Sequence, residues 1–200
     1  MIRRPTFRLE RELKALGYRA IVGVDEAGCG ALAGPVVAGA VILPLDSRIG
    51  RLHDSKLLSA RRREEVYGQV VERADAWAAG VVSVEEIFEI GIRPATFLAM
   101  RRAIEGLPDA DYLLVDAWTI PGVSMKQRGI IKGDRLVKSI AAGSIIAKVT
   151  RDRIMQELHK EYPAYSFHEH KGYGTRKHRA MISENGPCKF HRLNYKTFRQ

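Results

Sequence analysis

Residues 20–43 read AIVGVDEAGCGALAGPVVAGAVIL: two apolar runs held apart by a glycine-rich stretch that opens on an acidic pair. The first run, AIVGVDE, is predicted to be a strand, AGCGALAGP a tight turn, and VVAGAVIL a second strand. Strands joined this closely pair antiparallel. Upstream lies an amphipathic basic helix that ends near Gly17. Downstream, Ser59 is placed to cap a helix through RRREEVYGQVVERA, and AWAAGVVS at 76–83 reads as a third strand. Ser83 and Glu86 match a capping box, and Pro94 suits the first turn of a helix through ATFLAMRRAIEG. YLLVD at 112–116 reads as a fourth strand buried on both faces, and GIIKGD at 129–134 as a short fifth. From about Arg135 a long helix runs to Pro163, rich in small residues at its start, which permits close packing. A further helix near Thr175 to Ser183 is peripheral. This order predicts an α/β fold with one mixed sheet, antiparallel on one side and parallel on the other, and helices on both faces.

The chain has 200 residues, and its 46% hydrophobic content supports a core of ordinary domain size. Against 23 Asp and Glu stand 33 Lys and Arg, a net charge of +10 that favours a polyanionic partner, nucleic acid first, over a neutral metabolite. Residues 171–200 hold eight of those cations (Lys171, Arg176, Lys177, Arg179, Lys189, Arg192, Lys196, Arg199) against Glu184 alone, so this end is expected to lie along phosphates. Two cysteines, Cys29 and Cys188, make no disulfide framework and point to a reducing cytoplasm. The longest apolar run, Val36 to Leu43, is too short to span a membrane, and the first 17 residues have no apolar signal core.

Four acids fall at strand ends or helix starts: Asp25 and Glu26 on the first strand, Asp116 closing the fourth, and Asp134 before the long helix. Singly, each has an ordinary reading as turn former or cap. Gathered at one sheet edge they would repel unless protonated or bridged by a cation. Oxygen donors alone, and few of them, suit Mg²⁺ or Mn²⁺ with water and substrate phosphate completing the shell. Neighbouring strand residues point to opposite faces, so Asp25 and Glu26 share a metal only if the strand bends or ends, and the AGCG turn is the expected source of that bend.

Taken in order, VDEAGCGALAGPVVAGAVIL, HDSKLLS, LLVD, KGD, SIAAGSIIAKVTRD and HKGYGT resemble the successive motifs of the bacterial ribonuclease HII family, from about Ile21 to Tyr195. The resemblance implies a ribonuclease H-like fold, a mixed five-stranded sheet flanked by helices with a small C-terminal helical segment. Residues 1–160 would be the catalytic domain, with 1–18 its N-terminal helix, and 161–200 a basic segment completing the substrate cleft. Asp25, Glu26, Asp116 and Asp134 would carry catalysis and hold two Mg²⁺ or Mn²⁺ ions, which activate water and stabilise the leaving oxygen. The implied substrates are RNA/DNA hybrids and DNA duplexes containing ribonucleotides, cut on the 5′ side of a ribonucleotide to leave 5′-phosphate and 3′-hydroxyl ends. Gly28, Cys29 and Gly30 would bring backbone to the 2′-hydroxyl that distinguishes RNA from DNA, with Tyr173 under the following sugar. Lys56, Lys148 and Arg151 are candidate phosphate contacts, and the protein would act as a monomer.

The family pattern is broken in places. Cys29 stands where arginine is usual, which removes a bidentate phosphate or carboxylate partner while the glycines keep the backbone approach. Gly91 stands for asparagine, Ala117 for glycine, and Asn194 and Tyr195 for Ser-Phe. A thiol nucleophile or zinc site at Cys29 lacks the accompanying Cys or His spacing, and His168 and His170 with Cys188 make a weaker case still. Residues 28–34 fail the dinucleotide fingerprint because a strand follows them. The roughly twenty residues before the first strand leave no room for the platform of the related type HIII class. Two other readings fit the same acids: a metal nuclease of this fold indifferent to ribose, and a non-catalytic nucleic-acid binder.

Overall fold

A computed structural model describes residues 4–50, 52 and 58–198. Strands β1 (Ile21–Ala27) and β2 (Val36–Ile42) form the antiparallel hairpin, in register from Val22↔Ile42 to Ala27↔Val37. β3 (Ala76–Val82) pairs antiparallel with β2, while β4 (Tyr112–Asp116) and β5 (Lys126–Ile130) add in parallel beyond β1, giving the order β3-β2-β1-β4-β5. This is the expected mixed sheet.

The fifth strand sits earlier than the sequence pattern predicts. It ends at Ile130 because Lys132 turns into the left-handed region (φ 58°) and Gly133–Arg135 form a 3-10 turn. An edge strand has one neighbour and little burial, so the polar KQR run lacked the apolar signal that marks inner strands.

Alternation along β1 sorts its side chains between two cores. Val22 and Val24 pack with Ala95, Ala99, Met100 and Ala103 of α4 (Ile92–Glu105). On the opposite face Gly23 meets α5 (Lys138–Glu161): a Cβ on Gly23 would stand 1.9 Å from the Ser139 carbonyl carbon, and one on Gly39 2.2 Å from Gly143 O. Glycine is required at both positions because the helix backbone touches the sheet. Val66 and Val70 of α2 (Ala60–Arg73) pack on this same side with Val41, Ala141 and Ile145.

Helix α1 (Arg8–Ala15) is fastened by buried Glu10, which accepts from Ser139 N–H and from the Ser139 hydroxyl, both at 3.0 Å. The Ser83 capping box starts α3 (Val84–Ile90) as predicted. After α5 come α6 (Phe167–His170) and α7 (Arg176–Asn185), where Tyr165 and Phe167 pack with Ala33, Met155 and Leu158 in a third core. Among the described residues no helix is long and apolar enough to cross a membrane.

Candidate active site

Parallel pairing of β1 with β4 stops at Val24↔Val115, whereas β1 stays paired with β2 as far as Ala27. Past that point the two strands part and a gap opens beside Asp25 and Glu26. β1 continues through the acids without ending, and Asp25 and Glu26 both line one cleft of about 550 Å³.

Asp25 lies on the α5 side, hydrogen-bonded to Ser144, and its Oδ1 accepts the Glu26 N–H at 2.7 Å. Burial holds its carboxyl well above the usual carboxylate range, with Glu26 and then Asp116 adding repulsion. Glu26 is raised by burial and by Asp116. Three of the four predicted acids therefore act on one another electrostatically.

Asp116 and Asp134 are not among the residues lining the 550 Å³ cleft, and the fourth acid is linked to Asp116 through the backbone. Asp116 Oδ1 accepts the Gly133 N–H at 2.6 Å, and buried Asp134 follows Gly133 on the same 3-10 turn. The donor set offers only oxygens and carries mutual repulsion that a divalent cation would relieve, so hard cations fit it. Among the described residues no group of three or more His, Cys, Asp or Glu is gathered so that it could hold a metal ion.

Gly28, Cys29 and Gly30 line the same cleft, as do Lys148 and Tyr173. The two glycines differ in kind. Gly28 has φ 98°, and a Cβ there would lie 2.1 Å from Arg151 Nε; Gly30 faces open space, its backbone accessible to an approaching group. Cys29 Sγ sits 3.1 Å from Thr96 Oγ1 and 3.7 Å from Glu26 Oε1. Burial and the Glu26 carboxylate push its thiol up to about 12, so it is protonated at neutral pH and is no thiolate nucleophile or ligand.

Tyr173 pairs with Ala31 across an isolated antiparallel bridge, and its ring lies 5.5 Å from Lys148 Nζ and 5.2 Å from the Arg151 guanidinium carbon. Lys148 is on the cleft wall but donates to Asp152 Oδ1 at 2.6 Å. Lys56 lies outside the described residues.

Arg151 corrects the sequence reading. It is fully buried and donates to the carbonyls of Pro35 (2.9 Å), Lys171 (2.9 Å) and Ala33 (3.0 Å), so its fork is spent inside the protein and does not reach a phosphate. Arg192, counted among the phosphate-seeking C-terminal cations, is fully buried too. It donates to Gly34 O at 3.0 and 2.8 Å, to Pro35 O at 3.1 Å and to Cys29 O at 3.1 Å. Together these arginines clamp the 28–35 turn from beneath. Sequence reasoning also missed Ser144 and Arg63 on the cleft wall. Arg63 sat in the run RRREE, which reads as a solvated helix face, and no sequence pattern marks which of its members turns inward.

Comparison with known proteins bears on the family and the fold. A family profile described as Ribonuclease HII matches residues 22–198. A ribonuclease HII of Caldicellulosiruptor bescii is 46% identical over 190 residues, covering 94% of this chain and 92% of its own length. In fold, the chain resembles the ribonuclease H2 of Pyrococcus horikoshii OT3, with a TM-score of 0.72 at 24% identity over 90% of this chain and 96% of that one. It also resembles Bst-RNase HIII in complex with Mn²⁺, with a TM-score of 0.67 at 16% identity over 92% and 70% of the two chains. The matched span takes in both halves of the acidic site, the glycine turn and Tyr173, and the chain belongs to the ribonuclease HII family.

Proposed function

We propose that this endoribonuclease, which acts on the RNA strand of RNA/DNA hybrids, also cuts on the 5′ side of ribonucleotides embedded in duplex DNA, with two Mg²⁺ or Mn²⁺ ions held by Asp25, Glu26, Asp116 and Asp134. What supports this reading is the placement of Asp25 and Glu26 in one cleft whose wall also holds an open-faced glycine and an aromatic ring, with Asp116 near enough to raise both carboxyls. When bound, such ions supply water activation and charge neutralisation at the scissile phosphate.

The protein's own groups do the rest. Gly30 backbone meets the ribose 2′-hydroxyl, and Tyr173 supports the sugar that follows. Arg151 and Arg192 hold the turn rigid so that this readout keeps its geometry. Residues 161–200 complete the cleft by supplying Tyr173 and the Arg192 clamp. The protein works as a cytoplasmic monomer, and its two described cysteines, Cys29 and Cys188, are unbridged, as that setting requires.

The test is cleavage-site mapping on a duplex holding one ribonucleotide, in Mg²⁺ and then in Mn²⁺, with Asp25→Asn alongside. A single cut 5′ of the ribonucleotide, abolished by Asp25→Asn with duplex binding retained, is the expected result. Equal cleavage of an all-DNA duplex would transfer the chain to a ribose-blind nuclease reading.

A further inference from the structure

On the α4 side of Glu26 lies a second cleft, of about 380 Å³, that shares Glu26, Cys29 and Gly30 with the first and is otherwise walled chiefly by Arg93, Phe97 and Trp118. Its most exposed aromatic is Trp118, 47% exposed although only two residues beyond β4. The backbone is bent to put it there. Ala117 adopts φ 59°, a region disfavoured for residues with a Cβ, and Trp118 N–H donates to Asp116 O at 2.7 Å. Gly129 of β5 makes room for this kink, since a Cβ there would stand 2.7 Å from Trp118 O.

The Arg93 guanidinium carbon lies 4.5 Å from the centre of the Trp118 ring. Among the described residues Arg93 has no carboxylate partner and donates no hydrogen bond. It is the second residue of α4, the helix end where the macrodipole disfavours a cation. An exposed arginine that is stacked, unpaired and at the wrong helix end contributes little to the fold, and its N–H edge remains free to meet an anion.

We propose that Arg93 and Trp118 form a phosphate subsite for the substrate strand on the α4 side of the scissile position. The indole supports the guanidinium face, and the guanidinium edge binds a backbone phosphate of the RNA/DNA duplex. The occupant follows from continuity with the acidic cleft and from the charge of a +10 chain. This rests on the ribonuclease reading above for the identity of the duplex. Tyr173 and Lys148 would then flank the acids on one side and Arg93 and Trp118 on the other, so that the strand crosses the sheet edge held at both ends.

The experiment is anisotropy of a labelled RNA/DNA hybrid in chelator, so that nothing is cut, across a potassium chloride series, for wild type, Arg93→Gln and Trp118→Ala. Arg93→Gln should weaken binding about tenfold and lower the slope of log Kd against log salt by about 0.9, the loss of one phosphate contact. Trp118→Ala should weaken it less and keep most of the slope, since the charge stays. In Mg²⁺, both variants should raise KM and leave kcat unchanged. Wild-type affinity and slope in Arg93→Gln would overturn the subsite, and so would weaker binding with an unchanged slope. A wild type that binds the hybrid but does not cleave it sinks the ribonuclease reading alone, because the chelator series still decides on Arg93.

Discussion

At the scale of the residue, the acids are costly before they are useful. Asp25 is held above its ordinary range by burial, then by Glu26 and Asp116, so its charge opposes folding wherever no cation offsets it. Asp25→Asn should therefore raise the melting midpoint of the metal-free protein while abolishing cleavage, by about 2–4 °C for each kcal/mol relieved. A lower midpoint in calorimetry would mean that Asp25 is structural. Cys29 poses the opposite question, because its protonated thiol fills a position that touches both Glu26 and Thr96. Cys29→Arg should lower KM on a duplex with one ribonucleotide at little change in kcat, and equal Michaelis constants would refute the idea that the thiol weakens affinity. Sequence motifs alone single out Asp25, Glu26, Asp116 and Asp134. Their surroundings were not legible there: a carboxylate's neighbours lie across the sheet, and an arginine bound for the interior looks like any other in sequence.

Among elements, the strands and helices followed from period and punctuation, because inner strands must be apolar and the Ser83 cap is local chemistry. The exceptions were an edge strand with nothing to bury and a cleft lined by residues from distant stretches of the chain, which no single stretch of sequence encodes. The contact of α5 with the hairpin is the tightest joint. Gly39→Ala would put a Cβ 2.2 Å from Gly143 O and should cost about 3 kcal/mol or more in urea denaturation. The turn beneath the acids depends on side chains instead. Arg151→Met would strip three carbonyls of their donor and should cost roughly 3 kcal/mol or more, at about 1–3 per orphaned group, with Arg151→Lys a poor rescue because an ammonium lacks the fork. Near-native stability of either Arg151 variant would show that water replaces the clamp.

For the molecule as a whole, the C-terminal segment ties its own histidines to the active site. Cys188 N–H donates to His191 Nδ1 at 2.9 Å, which leaves His191 Nε2–H to donate to His178 Nε2 at 3.1 Å, and His178 Nδ1 lies 3.0 Å from Tyr173 O. Read as one chain, this fixes both rings as neutral tautomers, with His178 donating to the tyrosine that lines the cleft. Burial lowers His178 to about 4, and lowers His191 and His170 as well. A depressed histidine binds its proton more readily in the unfolded chain, so this contribution is whole above about 6.5 and is lost as pH falls toward about 4. The acids run the other way, since protonation relieves Asp25, Glu26 and Glu10, and Asp25→Asn removes the strongest of these. Melting midpoints should fall between pH 7 and pH 5 in that variant, and a His178 titration near 6.5 by NMR would contradict the chain. The same segment imposes an order in time. Arg192 grips Gly34 across 158 residues, so during translation at about 5–20 residues per second the turn waits roughly 8–30 s for its anchor to be made. A nascent polypeptide halted on the ribosome before that arginine would own its acids while the glycine turn beside them still lacked its anchor.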